Sequence, residues 1–101
     1  MTIKNGTRLR SQVCTTEVIV IRTSADDLDL RIGGVPVVPI DGAVDTDAVL
    51  DREFADGNAV GKRYTDGDGL EVLVTKAGSG SLSVGAVLLR LKSAQPLPAS
   101  D

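Results

Sequence analysis

Histidine and tryptophan are absent from this sequence, cysteine occurs once, and the only aromatic side chains are Phe54 and Tyr64. Each shortage removes a class of function. Without histidine there is no imidazole base, no Ser–His or Cys–His pair and no imidazole metal ligand. A single cysteine, Cys14, cannot close an intrachain disulfide and fits a reducing compartment. Two aromatic rings offer no stacking platform for bases and no basic run occurs, so nucleic-acid binding is not expected. No apolar run approaches the ~20 residues of a membrane-spanning helix. The opening MTIKNGTRLR has no apolar signal region. A cytoplasmic protein without a membrane partner is the expectation. No nucleophile elbow and no glycine loop opening a helix for phosphate are found either.

What is present is aliphatic and acidic. The 101 residues are 42% apolar, with 11 Lys/Arg against 14 Asp/Glu. A core must come from Val, Leu, Ile and Ala, each large side chain contributing roughly 1.5–3 kcal/mol when buried. A folding unit of about 40 residues normally needs a metal, disulfides or a partner. The pairs Arg8/Arg10 and Lys62/Arg63 read as solvated strand edges.

The chain repeats itself. GTRLRSQVCTTEVIVIR (6–22) aligns with GKRYTDGDGLEVLVTK (61–76), and LDLRIGGVPVVPI (28–40) with GSLSVGAVLLRLK (80–92). Gly6 then meets Gly61, Arg8 meets Arg63, Val18 to Val20 meet Val72 to Val74, Leu30 meets Leu82 and Gly33 meets Gly85. The β-branched runs at 17–22 and 71–76 predict strands. Further strands are expected at 28–32, 35–40, 81–84 and 87–91, with tight bends at Gly33-Gly34 and Gly85-Ala86. AGSGS (77–81) and TSADD (23–27) read as hairpin-like turns. The units are therefore 6–40 and 61–92, joined by an acidic linker at 41–60 and followed by a tail at 93–101 expected to fray. Within the linker, 46–54 predicts a short helix capped by Asp45 or Thr46, with Val49, Leu50 and Phe54 sealing the edge of the core.

Both copies resemble the desulforedoxin-type, rubredoxin-like unit also found at the N-terminus of desulfoferrodoxin. That pattern runs approximately Tyr-x-Cys-x-x-Cys-Gly-x-x-Val-x-Val, a turn, then Leu-x-Cys-Cys-Gly-x-Pro-Met. The resemblance implies four cysteine sulfurs around one iron in each unit, and two units pairing as a dimer. Carried onto this sequence, it places Ser11 and Cys14 in the first knuckle of copy one and Ile32 and Gly33 in the second. In copy two, Asp66 and Asp68 stand near the first ligand positions and Val84 and Gly85 at the second. Of the ligand cysteines only Cys14 remains. Ile, Val and Gly side chains donate no lone pair, so no iron centre, other metal or cofactor is expected at these former ligand positions.

The resemblance implies an all-β fold in which the two small units pair as an intrachain pseudo-dimer. Aliphatic contact and covalent tethering would take over from the lost metal. DGDG (66–69) lacks the further oxygen donors of a calcium loop, since Leu70 occupies the third place, and reads as a tight turn. Asp26, Asp27 and Asp29 form an acidic run with no evident cleft to raise a pKa. The favoured reading is a non-catalytic accessory or small structural subunit, binding a larger protein or enzyme complex through its strand edges, or assembling as a homo-oligomer. The alternative is a redox or metal protein using Cys14 in an intermolecular site. A small enzyme built on Asp66/Asp68 has no specific support.

Overall fold

Alternation of β-branched residues sets the longest strands. The structure is a computed structural model that describes residues 3–23 and 27–92. In it EVIVIR forms β2 (Glu17–Arg22) and EVLVTK forms β7 (Glu71–Lys76). Val18, Val20, Val72 and Val74 are buried, while Ile19 and Leu73 turn to the opposite face. The remaining strands are short: β1 (Arg8–Arg10), β3 (Leu30–Ile32), β4 (Val35–Pro36), β5 (Val38–Pro39), β6 (Arg63–Thr65), β8 (Leu82–Val84), β9 (Val87–Leu88) and β10 (Arg90–Leu91). The protein is all-β, with two antiparallel sheets.

The six-stranded sheet has the order β10-β6-β7-β2-β1-β5 and the four-stranded sheet β4-β3-β8-β9. Exchanging equivalent strands of the two sequence copies leaves both orders unchanged. Register follows the same rule. Ile19 sits opposite Leu73, flanked by Val18–Val74 and Val20–Val72; Arg31 sits opposite Ser83, flanked by Leu30–Val84 and Ile32–Leu82. Hydrogen bonds outside the ladders come in equivalent pairs too. The Gly6 amide donates to the Val20 carbonyl at 2.7 Å, and Gly61 to Val74 at 2.8 Å. Gly33 donates to Ser81 at 2.9 Å, and Gly85 to Asp29 at 2.8 Å.

One aliphatic core joins the sheets. Leu9, Val18, Val20, Val72 and Val74 from the larger sheet meet Leu30, Ile32 and Leu82 from the smaller, and Tyr64 packs at the margin. The segments 35–40 and 87–91 are not single strands. Each leaves one sheet for the other at a buried residue, Val37 or Leu89, whose amide donates to Leu30 or Leu82. The core anchors the chain at that bend, so pairing restarts in a new sheet. For the same reason 77–81 is not a hairpin, because β7 and β8 belong to different sheets; residues 24–26 of the turn expected at 23–27 lie outside the described residues. The true two-residue hairpins are Gly33-Gly34, with φ of +68° and +79°, and Gly85-Ala86, with Gly85 at +58°.

The helix predicted at 46–54 reduces to a single 3-10 turn at Arg52–Phe54, capped by Asp51 rather than by Asp45 or Thr46. Acidic side chains here compete for backbone amides: Asp45 takes the Asp47 amide and Asp51 takes that of Glu53. Val49 is 78% exposed and seals nothing, while Leu50 and Phe54 are half-buried. The tail at 93–101 and Asp26 of the acidic run lie outside the described residues.

Candidate functional site

Ser11 and Asp66, equivalent positions in the two copies, each organise a loop through a side-chain oxygen. Ser11 is buried, and its Oγ accepts from the amides of Val13 (3.0 Å) and Cys14 (3.1 Å). Asp66 holds the equivalent loop: its Oδ1 accepts from the amides of Asp68 (2.7 Å) and Leu70 (3.1 Å). Asp68 itself is exposed. A loop whose amides are satisfied by its own side chain needs no ion to hold its shape.

In copy one the 11–14 loop and the Gly33-Gly34 bend meet. A methyl placed on Gly33 would lie 2.7 Å from Val13 Cγ2 and would overlap Leu50 Cδ1, so the linker caps the bend. The other half of the chain packs against both. Gly80 packs its backbone against Gly33 and Ile32, and Gly78 packs against Thr16 and Cys14 Sγ. Asn58 fastens this seam, donating through Nδ2 to Thr16 Oγ1 at 2.7 Å and to the Gly80 carbonyl at 2.8 Å. Ile32 is fully buried in the core.

In copy two the positions that the sequence reading singled out, Asp66, Asp68, Val84 and Gly85, are not joined across the two loops by any hydrogen bond among the described residues. The Asp66–Asp68 loop faces Arg90, and the Gly85 amide faces Asp29. Val84 is half-buried against the core. Neither set fits a metal: copy one offers one thiol and one hydroxyl already engaged with amides, copy two one carboxylate turned onto its own loop and a second, Asp68, exposed. Among the described residues there is no group of three or more His, Cys, Asp or Glu able to hold an ion.

Cys14 is half-buried, and its thiol donates to Thr16 Oγ1 at 3.2 Å. Burial pushes the thiol up. The Ser11 and Thr16 hydroxyls, with backbone hydrogen bonds at Thr16 and Gly80, outweigh that and hold it below the usual thiol range.

The outer face of the six-stranded sheet is the feature that sequence reading missed. Side chains opposite one another in an antiparallel pair share a face. Arg8 opposes Ile19, Arg10 opposes Glu17, and Glu17 opposes Lys76. Arg22 opposes Glu71, which also opposes Thr65, which in turn opposes Arg90. Arg63 lies across from Leu73. Lys92, just beyond β10, reaches Glu71 with Nζ 2.7 Å from Oε1. Seven of the chain's 11 Lys/Arg thus gather on one face, where Glu17 and Glu71 are the carboxylates among the described residues. The signal was available as Arg-x-Arg (8–10) and Arg-x-Lys (90–92), two residues apart on strands, but it required the strand order to bring them together.

Glu71 is nearly buried beneath three of these cations, with Arg63 at 3.0 Å and Arg22 at 3.8 Å in addition to Lys92. The Lys92 hydrogen bond, against the cost of burial and with Arg63 assisting, holds its carboxyl below the ordinary carboxylate range. The equivalent place in copy one has Glu17 for Glu71, Arg8 for Arg63 and Lys76 for Arg22, but Ile40 for Lys92. There the face is open, forming a shallow groove of about 410 Å³ lined by Arg8, Glu17, Ile19, Ile40 and Lys76 among others.

No family model, curated protein or solved structure matches this chain. Among the described residues no helix is long and apolar enough to cross a membrane.

Proposed function

We propose that this chain is a non-catalytic accessory subunit that binds a larger protein, built on a duplicated desulforedoxin-like scaffold whose iron sites are lost. The observation that supports this most is the packing around the predicted ligand positions of copy one. The backbone of Gly80 lies against Ile32 and Gly33, Gly78 lies against Cys14, and Leu50 covers Gly33. On this reading the protein's own atoms take the place of a reaction centre. Such a chain serves by its surface. The reading includes a cytoplasmic location, consistent with one free thiol.

The surface offers open edges on one half only. The edge strands of copy one, β4 and β5, contain Pro36 and Pro39, which have no amide to donate. Their counterparts β9 and β10 have none and expose Val87 (70%), Leu88 (46%) and Leu91 (55%). Strand addition by a partner has a free template there.

Purification from the native host, followed by mass measurement, tests the reading: a stable companion at fixed stoichiometry is expected. A strictly monomeric protein without one overturns it. The acidified, half-exposed Cys14 favours one other reading, a metal or redox site shared between chains. Stoichiometric iron or zinc in anaerobically purified protein, lost in Cys14→Ala, would establish that alternative instead.

A further inference from the structure

We infer that the outer face of the six-stranded sheet is a docking surface for an acidic protein segment, seated across the groove between Arg8 and Lys76. The inference rests on the accessory-subunit reading and assigns the chemistry of the partner.

Charge is the first argument. The chain is acidic overall, at −3, yet this face sets seven cations against two carboxylates. Across the order β10 to β5 the face spans about 24 Å at ordinary strand spacing. A field of one sign over that width steers and holds a partner of the opposite sign.

The vacancy beside Glu17 is the second. In copy two the chain closes the equivalent place itself, with Lys92 on Glu71. In copy one Ile40 stands there, leaving the groove and two cations uncommitted. Arg8 and Lys76 are exposed and have no ion-pair partner among the described residues.

The third argument selects a protein over other polyanions. Ile19 and Leu73 oppose each other at the middle of the face, half-buried, and Ile40 lines the groove at 36% exposure. An apolar centre bordered by arginines resembles a protein–protein interface. No aromatic side chain lies on this face to stack a base. A segment with carboxylates flanking an apolar side chain satisfies both parts.

The test uses the full chain and a fluorescein-labelled peptide of alternating Glu and Leu, followed by anisotropy at 20 mM and 300 mM salt. Binding at low salt is expected, weakened at least tenfold by Arg8→Gln/Lys76→Gln and by added salt. Lys4→Gln/Arg52→Gln, which removes the same charge elsewhere, should leave it within twofold. Equal weakening by both double variants overturns the assignment, because net charge alone would then explain binding. Tighter binding to a 20-base-pair DNA duplex or to phosphatidylserine vesicles overturns it as well. So does an oligomer of the chain that dissociates in Arg8→Gln/Lys76→Gln, since a second copy would then be the occupant. A native companion still bound by that variant sinks the face but spares the accessory reading. Face-dependent peptide binding without any native companion does the reverse.

Discussion

The α-carbon of Gly80 lies against the peptide of Gly33, so that a methyl on Gly80 would stand 2.7 Å from Gly33 N and 2.9 Å from Ile32 Cγ2. One half of the chain thereby packs onto the hairpin of the other. Neither the backbone atom nor the buried Ile32 can move without disturbing the hairpin at Gly33-Gly34. Gly80→Ala should destabilise the protein by roughly 1–3 kcal/mol through overpacking. Gly61 is the control: a methyl there meets nothing within 4 Å, and only its φ of +78° opposes substitution. Urea midpoints of the two variants separate contact from backbone strain, and a Gly80→Ala protein as stable as the wild type would show that the halves are not closely seated.

Glu71 makes stability depend on acid. Its folded-state carboxyl titrates below its unfolded value because Lys92 hydrogen-bonds it, burial opposing and Arg63 assisting. Folding therefore favours the ionised form. That contribution is complete above the unfolded value of about 4.3 and disappears as pH falls through the lower folded one. Urea midpoints measured from pH 7 to pH 3 should drop across this window. Glu71→Gln should lower the midpoint at pH 7, leaving Lys92, Arg63 and Arg22 without their counter-charge, and flatten the acid limb. An unchanged limb in Glu71→Gln would assign the acid sensitivity to other carboxylates.

Much of the fold could be read in advance, and the exceptions have physical causes. EVIVIR and EVLVTK announce strands because β-branched side chains alternate there, and GG and GA between apolar runs announce tight hairpins. The split of 35–40 at Val37 was hidden because the residue that changes sheet is as apolar as its neighbours. Val49, Leu50 and Phe54 have helical spacing, but the Asp45 and Asp51 side chains take the amides of Asp47 and Glu53, and the Gly33 carbonyl takes the Asp51 amide, leaving one turn. The packing of Gly78 against Cys14 and of Gly80 against Gly33 is a long-range contact with no local signature. The basic face was illegible for the same reason: its cations come from strands distant in sequence, and each pair alone looks like a solvated edge.

Asp66 is expected to act as a structural acceptor and not as a calcium ligand. Asp66→Ala leaves the amides of Asp68 and Leu70 without their partner and should cost about 1–2 kcal/mol. Asp68→Ala, whose side chain is exposed and forms no hydrogen bond among the described residues, should be near neutral. Added calcium should leave the melting temperature of the wild type unchanged. A calcium-dependent rise that vanishes in both variants would mean that the loop binds the ion after all.

Ser11 performs the same task in copy one and also sets the chemistry of Cys14. Its buried Oγ accepts two amides, so Ser11→Ala should cost about 1–2 kcal/mol through unsatisfied donors. The hydroxyl is also the foremost of the groups that lower the thiol's pKa against burial. Without it, burial acts less opposed and the thiol titrates at higher pH. Since the thiolate is the reactive species, alkylation by iodoacetamide at pH 7.5 should slow, and the midpoint of its pH profile should rise. Ser11→Thr keeps a hydroxyl and should restore the profile if the larger side chain fits. A midpoint unmoved in Ser11→Ala, in protein that is still folded, would separate Cys14 from its neighbour and place the acidifying effect with Thr16 and Gly80.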